Sequence, residues 1–199
     1  MIQVIPISGH SNTQSVLAAL EAVGLSYSIV DSPSAFSTLQ PVLIPGLGRF
    51  VDGIRYLEQT ELSGVIREHG GLKSPMVGIC LGMQLLFSSG SEGITAAGLG
   101  IFAGEIKPFP NHAARGGGLN IGWGEVRWNG GTPSSLNQAY FSHSFRASDV
   151  SPGDILAESV HNAERFPSAV QKNGVVGLQF HPELSGAAGI ALLKNFLTL

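Results

Sequence analysis

Three side chains in this sequence have the types and spacing to carry out nucleophilic attack on a carbonyl carbon. They are Cys80, the only cysteine among 199 residues, and the pair His181 and Glu183. A cysteine nucleophile needs a base to take its proton and a third group to orient the base. His181-Pro-Glu183 supplies both types two residues apart, and on an extended backbone residues at that spacing face the same side. Each signal alone has an ordinary explanation. A lone cysteine is more often a small buried apolar residue than a nucleophile, and a surface His-Pro-Glu turn would read the same way. Placed at one sheet edge, the three make a Cys-His-Glu triad.

The elements that must position them are legible around each motif. Met76, Val77 and Ile79 are strand-like, Met83 to Phe87 favour a helix, and Gly78-Ile-Cys80-Leu-Gly82 between them reads as a sharp strand-to-helix turn. This is the spacing of a nucleophile elbow. Glycines on both flanks allow a tight turn, and the helix N-terminus favours the thiolate. Upstream, Met1 to Ile7 reads as a buried strand, Ser8 to Asn12 as a polar turn, and Val16, Leu17, Leu20 and Val23 as one face of a helix ending at Gly24. Tyr27 to Val30 and Gln40 to Ile44 follow as strands. The second runs into Pro45-Gly46-Leu47-Gly48, a loop whose backbone N–H groups could face an oxyanion, or an ordinary turn. A helical signal spans Asp52 to His69.

Strands joined by helical crossovers imply a parallel sheet whose C-terminal edge binds ligand. After the elbow the texture changes. Ser88 to Gly100 and Asn111 to Gly118 are glycine-rich and loop-like, while Ile101 to Phe109, Ile121 to Trp128 and Ala139 to Phe145 alternate like antiparallel strands. Asp154 to Ser159 and Ala169 to Lys172 are short strands, and Val175 to Phe180 is apolar enough to return to the central sheet just before His181. A closing helix carries Ile190, Leu193, Phe196 and Leu197. The expected fold is α/β, three layers α/β/α around a mostly parallel sheet with an appended antiparallel portion. With no repeat, low-complexity tract or linker, residues 1–199 are expected to form a single domain.

Composition narrows the function classes. Apolar residues make up 43 % and charged ones 13 %, which suits a compact fold and either a surface partly covered by a partner or one rich in glycine loops. The net charge of -3 comes without a basic cluster, so no nucleic-acid partner is expected. One cysteine fits a reducing compartment. The first Lys or Arg is Arg49, so a secretory or transit leader is not expected, and no apolar run near the elbow is long enough to span a bilayer. A cytoplasmic protein without a membrane partner is the expectation.

Taken together, PGLG, GICLGMQLL and GLQFHPE resemble the class I, or triad-type, glutamine amidotransferases. LIPGLGRFVDGI, GLGIFAGEI, Gly122-Trp123, YFSHSF and GLQFHPELSG with LLKNF extend the resemblance to the glutaminase subunits of imidazole glycerol phosphate synthases, from about Leu43 onward. The resemblance implies that Cys80 attacks the carboxamide of L-glutamine, forming a γ-glutamyl thioester and releasing ammonia. It implies His181 as base and then acid, Glu183 as its orienting group, and an oxyanion hole from Leu81 with Leu47 and Gly48. Gly46, Gln84 and the Ser142-His143-Ser144 segment would hold the substrate, although His143 could equally be a satisfied core histidine. Trp123 would line the ammonia route, or pack in the core. Asn12 and Asn120 would belong to the face that meets a synthase or cyclase subunit, a β/α barrel in a heterodimer. No cofactor and no metal are implied.

Two segments depart from the usual subunit pattern. Ile7-Ser-Gly-His-Ser-Asn12 stands where a DYG-x-GN-type segment is usual, and Asn120-Ile-Gly-Trp-Gly124 replaces HMGWN. Both lie at the expected partner face, which keeps a paralogue serving a sugar-modifying synthase as an alternative to histidine biosynthesis. A stand-alone cysteine hydrolase and a non-catalytic interaction subunit are the remaining readings.

Overall fold

Runs of branched apolar residues bounded by glycine and proline set the central strands. The computed structural model describes residues 1–7, 13–70, 74–109, 118–130 and 135–198. The polar turn at Ser8 to Asn12 and most of the Asn111 to Gly118 loop lie outside them. In chain order the first half contains β1 (Ile2–Val4), α1 (Thr13–Ala22), β2 (Tyr27–Ile29), β3 (Val42–Gly46), α2 (Phe50–Gln59), α3 (Leu62–Gly70), β4 (Met76–Cys80) and α4 (Leu81–Leu85). The second half has β5 (Phe87–Glu92), β6 (Ile94–Ala97), β7 (Phe102–Pro108), β8 (Asn120–Glu125), β9 (Arg127–Trp128), β10 (Gln138–His143) and β11 (Phe145–Ser148). It ends with β12 (Ile155–His161), β13 (Glu164–Lys172), β14 (Val175–Leu178) and α5 (Gly186–Leu197).

The main sheet runs β2-β1-β3-β4-β14-β13-β12-β9. From β2 to β14 every pair is parallel, and β14 to β9 is antiparallel. Alternate residues of the parallel strands face opposite sides, so each face builds its own core. Val4, Leu43, Val77, Ile79 and Leu178 pack with α1 and α5. Ile5, Val42, Ile44, Met76 and Val175 pack with α2 and α3 on the other side. Two smaller sheets, β10-β8 and β11-β7-β5-β6, complete the appended portion.

Several local expectations change. The segment from Asp52 to His69 is two helices. Thr60 Oγ1 donates to the Tyr56 carbonyl at 2.8 Å and Glu61 adopts φ 58°, which ends the first helix without glycine or proline. The glycine-rich Ser88 to Gly100 stretch is not a loop but the β5-β6 hairpin, turning at Gly93 with φ 80°. The absence of a side chain at Gly90 is what admits the Phe50 ring, since a Cβ there would lie 2.7 Å from it. β5 pairs with β7 in parallel, not antiparallel. The expected strand Ala139 to Phe145 breaks at Ser144 into β10 and β11, and the helix after the elbow is short, giving way to β5 at Phe87. The crossover from β2 to β3 holds only a 3-10 turn, Pro33–Ala35, rather than a helix.

Register brings the motif residues into one row. β3 pairs Gly46 with Cys80, and β14 pairs Leu178 with Ile79, so the residue after Leu178 comes beside Cys80. The elbow glycines serve close approach rather than unusual dihedrals. A Cβ on Gly82 would lie 1.8 Å from the Ile44 carbonyl oxygen, and one on Gly78 would lie 2.8 Å from Gly82 and Met83 backbone atoms. The positive φ belongs to Cys80 itself, at 51° with ψ -108°. A non-glycine residue there costs about 1–3 kcal/mol, which the surrounding packing must offset.

Replacing Gly82 with Ala should therefore destabilise the protein by about 3 kcal/mol or more in urea denaturation. Gly64, on a helix face where a Cβ meets nothing within 4 Å, gives the contrast. Gly64→Ala should stabilise by about 0.5–1 kcal/mol.

Candidate active site

A cleft of about 210 Å³ opens at the C-terminal edge of β3 and β4. Cys80, Leu81 and Gln84 form one wall, Leu47 and Gly48 a second, and Ser142 to Phe145 a third, with Glu92 and Leu119 at the rim. The structure thus brings together the elbow, the Pro45 to Gly48 loop and the Ser142-His143-Ser144 segment. Gly46 does not line the cleft. It lies beneath it, where a Cβ would come 3.1 Å from Ile7 and 3.2 Å from Leu81.

His181 and Glu183 sit beside the elbow because β14 delivers them there. Their spacing works through a turn, not an extended strand. Pro182–Leu184 is a 3-10 turn, and it sets Glu183 Oε1 2.8 Å from His181 Nδ1. Ser185 pins that turn, its hydroxyl donating to the His181 carbonyl at 2.6 Å and accepting the Tyr140 N–H at 3.0 Å. The His181 N–H donates to the Tyr140 carbonyl at 2.8 Å, fastening the turn to β10.

The two buried histidines of the site are shifted in opposite directions. At His181 burial works against the cation. Hydrogen bonds to Cys80 and Glu183, with the attraction of their negative charges, outweigh it and push the pKa up to about 10. At His143 burial dominates, opposed weakly by the Phe145 carbonyl and reinforced by His181 and His161, and the pKa falls to about 3. His143 Nδ1 lies 2.8 Å from the Phe145 carbonyl and must donate to it. Its Nε2 then accepts from Asn120 Nδ2 at 3.0 Å, which fixes the neutral tautomer. His143 is thus both a satisfied core histidine, packed on Phe109, Phe141 and Phe166, and part of the cleft wall.

Asn120 and Trp123 occupy β8, antiparallel to β10, with Asn120 opposite His143 and Trp123 opposite Tyr140. Trp123 is 60 % exposed, which rules out core packing, and its ring meets Tyr140 edge-on at 6.3 Å. Asn12 lies outside the described residues. Among those described, no grouping of three or more His, Cys, Asp or Glu could hold a metal ion.

The family model described as Glutamine amidotransferase class-I matches residues 5–199. The chain belongs to the class I glutamine amidotransferases. It is 36 % identical over 196 residues to imidazole glycerol phosphate synthase subunit HisH of Bacillus velezensis, covering 94 % of this chain and 92 % of that one. The protein of the same name from Methanosarcina acetivorans is 35 % identical over 197 residues, covering 96 % and 95 %. Among solved structures, PurLQS from Thermotoga maritima superposes with a TM-score of 0.73 at 19 % identity over 98 % of this chain and 96 % of that one. At that identity the likeness speaks for the fold, which is that of the amidotransferase family.

Sequence reasoning misses two residues of this amidotransferase's site, one on the cleft rim and one buried behind Cys80. Glu92 reaches the rim from the unexpected hairpin, its Oε2 accepting the Phe50 N–H at 2.8 Å at the start of α2. Gln179 lies inside the GLQFHPE motif, fully buried, with Nε2 3.9 Å from Cys80 Sγ. Its place immediately after β14 was the available signal.

These shifts set the pH dependence of stability. Between about 3 and 6.5 the unfolded chain binds a proton that folded His143 refuses. That contribution is complete above pH 6.5 and is lost as pH falls, roughly 3–5 kcal/mol in all at about 1.4 kcal/mol per unit. His181 acts in the reverse sense, its contribution complete below pH 6.5 and lost as pH rises through about 10. Urea denaturation across pH should show both limbs, with the acid limb shallower in His143→Gln.

Proposed function

We propose that this chain is a glutaminase subunit that hydrolyses L-glutamine to glutamate and ammonia and delivers the ammonia to a synthase that forms imidazole glycerol phosphate. The observation that carries this reading is the convergence of Cys80, His181 and Glu183 beside a cleft on the scale of one amino acid. The relatives named above support imidazole glycerol phosphate over the sugar-modifying alternative.

Hydrogen-bonded to Cys80 and to Glu183, His181 takes the thiol proton as the sulfur attacks, and its raised pKa holds that proton for the leaving group. The sulfur attacks the glutamine carboxamide carbon, and the carbonyl π electrons move onto oxygen. Backbone N–H groups of Leu81 and the Leu47-Gly48 loop hold that oxyanion, each such donor worth about 3 kcal/mol of barrier. Collapse breaks the C–N bond as His181 gives its proton to the leaving nitrogen, so ammonia and a γ-glutamyl thioester form. Neutral His181 then takes a proton from water, whose oxygen attacks the thioester. Glutamate leaves as His181 returns that proton to the departing sulfur, which restores both groups. Glu183 orients the ring throughout and stabilises its cation.

Glu92 supplies the negative charge at the rim for the α-ammonium of glutamine, opposite Gln84 and the Ser142 to Ser144 wall. The partner docks on the exposed outer face of β8 and the residue before it, where Leu119, Ile121 and Trp123 are 50 %, 56 % and 60 % exposed at alternating positions. Such a row suits a hydrophobic interface core with an aromatic anchor.

In the complex with its synthase, Cys80→Ala should abolish glutamine-dependent synthesis, a loss of at least about 10³-fold, and spare synthesis from added ammonium. Loss of both activities would overturn the ammonia-donor role. Trp123→Glu should weaken association by about tenfold or more in titration calorimetry, with the fold intact.

A further inference from the structure

Gln179 is an amide buried to 0 % exposure beside the only sulfur nucleophile. Its orientation follows from the groups around it. The Phe145 carbonyl is an acceptor only, and Gln84 Nε2 lies 3.0 Å from it, so the Gln84 amide nitrogen must face that way. The same nitrogen lies 3.1 Å from Gln179 Oε1, and its second hydrogen meets that oxygen. With its oxygen engaged by Gln84, Gln179 turns its own N–H groups toward Cys80 Sγ at 3.9 Å. The Phe145 carbonyl also accepts from His143 Nδ1 at 2.8 Å, so its position is shared by two cleft residues. Gln179 takes its place from the sheet. The parallel register of β14 on β4 ends at Leu178 opposite Ile79, and the Gln179 N–H donates to the Ser168 carbonyl at 2.9 Å.

We infer that Gln179 is a positioning residue for the nucleophile, its amide held by Gln84 so that an N–H donor faces the Cys80 sulfur. This rests on the reading of Cys80 as the attacking group. The Ser142 carbonyl, which accepts from Cys80 Sγ at 3.7 Å, gives the sulfur a second contact. The Gln179 donor stabilises negative charge on the sulfur as it attacks, while His181 approaches from the turn after β14. Gln84 belongs to the cleft wall, so the contact that shapes the wall and the one that holds the sulfur pass through a single amide nitrogen.

The test is the rate at which iodoacetamide alkylates Cys80 in the full-length chain at neutral pH, followed by mass spectrometry, together with glutamine hydrolysis. Gln179→Met keeps the volume and removes the donor. Gln179→Glu keeps the oxygen that Gln84 needs and sets a second oxygen against the sulfur. On the folded, monodisperse fraction, Gln179→Met should be alkylated about tenfold more slowly, as expected for loss of a hydrogen bond to a charged group, and Gln179→Glu more slowly still. The kcat should fall in proportion, and KM for glutamine should stay within about threefold. Wild-type alkylation rates in both folded variants, or a loss confined to KM, would overturn the inference. If the wild-type chain neither hydrolyses glutamine nor is protected from alkylation by it, the glutaminase reading itself fails.

Discussion

The closest approach in the elbow is between two backbones. Gly82 presses on the Ile44 carbonyl so tightly that a Cβ would overlap it, and Gly78 lies under Gly82 and Met83 in the same way. This contact decides how far the chain can fold back after β4, and hence that Cys80 must take φ 51°. The strain is sustained because the neighbouring strands are locked by register. Gly46 is paired with Cys80 on one side and Leu178 with Ile79 on the other. A slip of one residue in either pairing would turn core side chains into the wrong layer, since the two faces bury different residues of the same strands. The cores on the two faces therefore hold the site in place, although few of their side chains touch it.

That division explains what was legible in the sequence. The parallel strands and the elbow declared themselves because continuous apolar runs, glycines at close approaches and a lone cysteine are each strong local signals. The β5-β6 hairpin did not, since Phe87 to Glu92 has only Phe87 and Gly90 buried and Gly90 is defined by the Phe50 ring above it. The break between α2 and α3 rests on Thr60 bonding back to Tyr56 and on Glu61 in a left-handed conformation, neither marked by a usual breaker residue. His181 and Glu183 come together as the motif implied, but through a 3-10 turn pinned by Ser185. Glu92 carries no spacing signal of its own, and the one signal for Gln179 is its place immediately after β14. Their places follow from pairings between strands far apart in the chain.

The electrostatics follow from the same placement. His143 and His181 are both buried, and burial alone pushes both toward neutrality. What separates them is the partner each strand end provides. His181 meets Cys80 and Glu183, which favour the cation, whereas His143 meets a carbonyl and an amide, which satisfy a neutral ring. A second cation at His143 would repel the one favoured at His181, and that repulsion is one of the causes that keep His143 neutral.

The β8-β10 ribbon connects this interior to the surface. Ala139, Phe141 and His143 are buried along β10, while Ile121 and Trp123 of β8 stand in solvent. A Cβ on Gly124 would come 3.0 Å from the Phe141 ring, tighter than an ordinary contact, so the bare glycine lets β8 lie close over that ring. Two connections cross it. Asn120 reaches inward to His143, and Trp123 packs on Tyr140, whose carbonyl accepts the His181 N–H. The residue that fixes the neutral histidine and the residue beneath the charged one therefore share a ribbon whose outer face is apolar. Any surface that covers Ile121 and Trp123 bears on both histidines through one layer of side chains, and a shift of β8 along β10 would have to break the Asn120 bond before it moved the cleft wall.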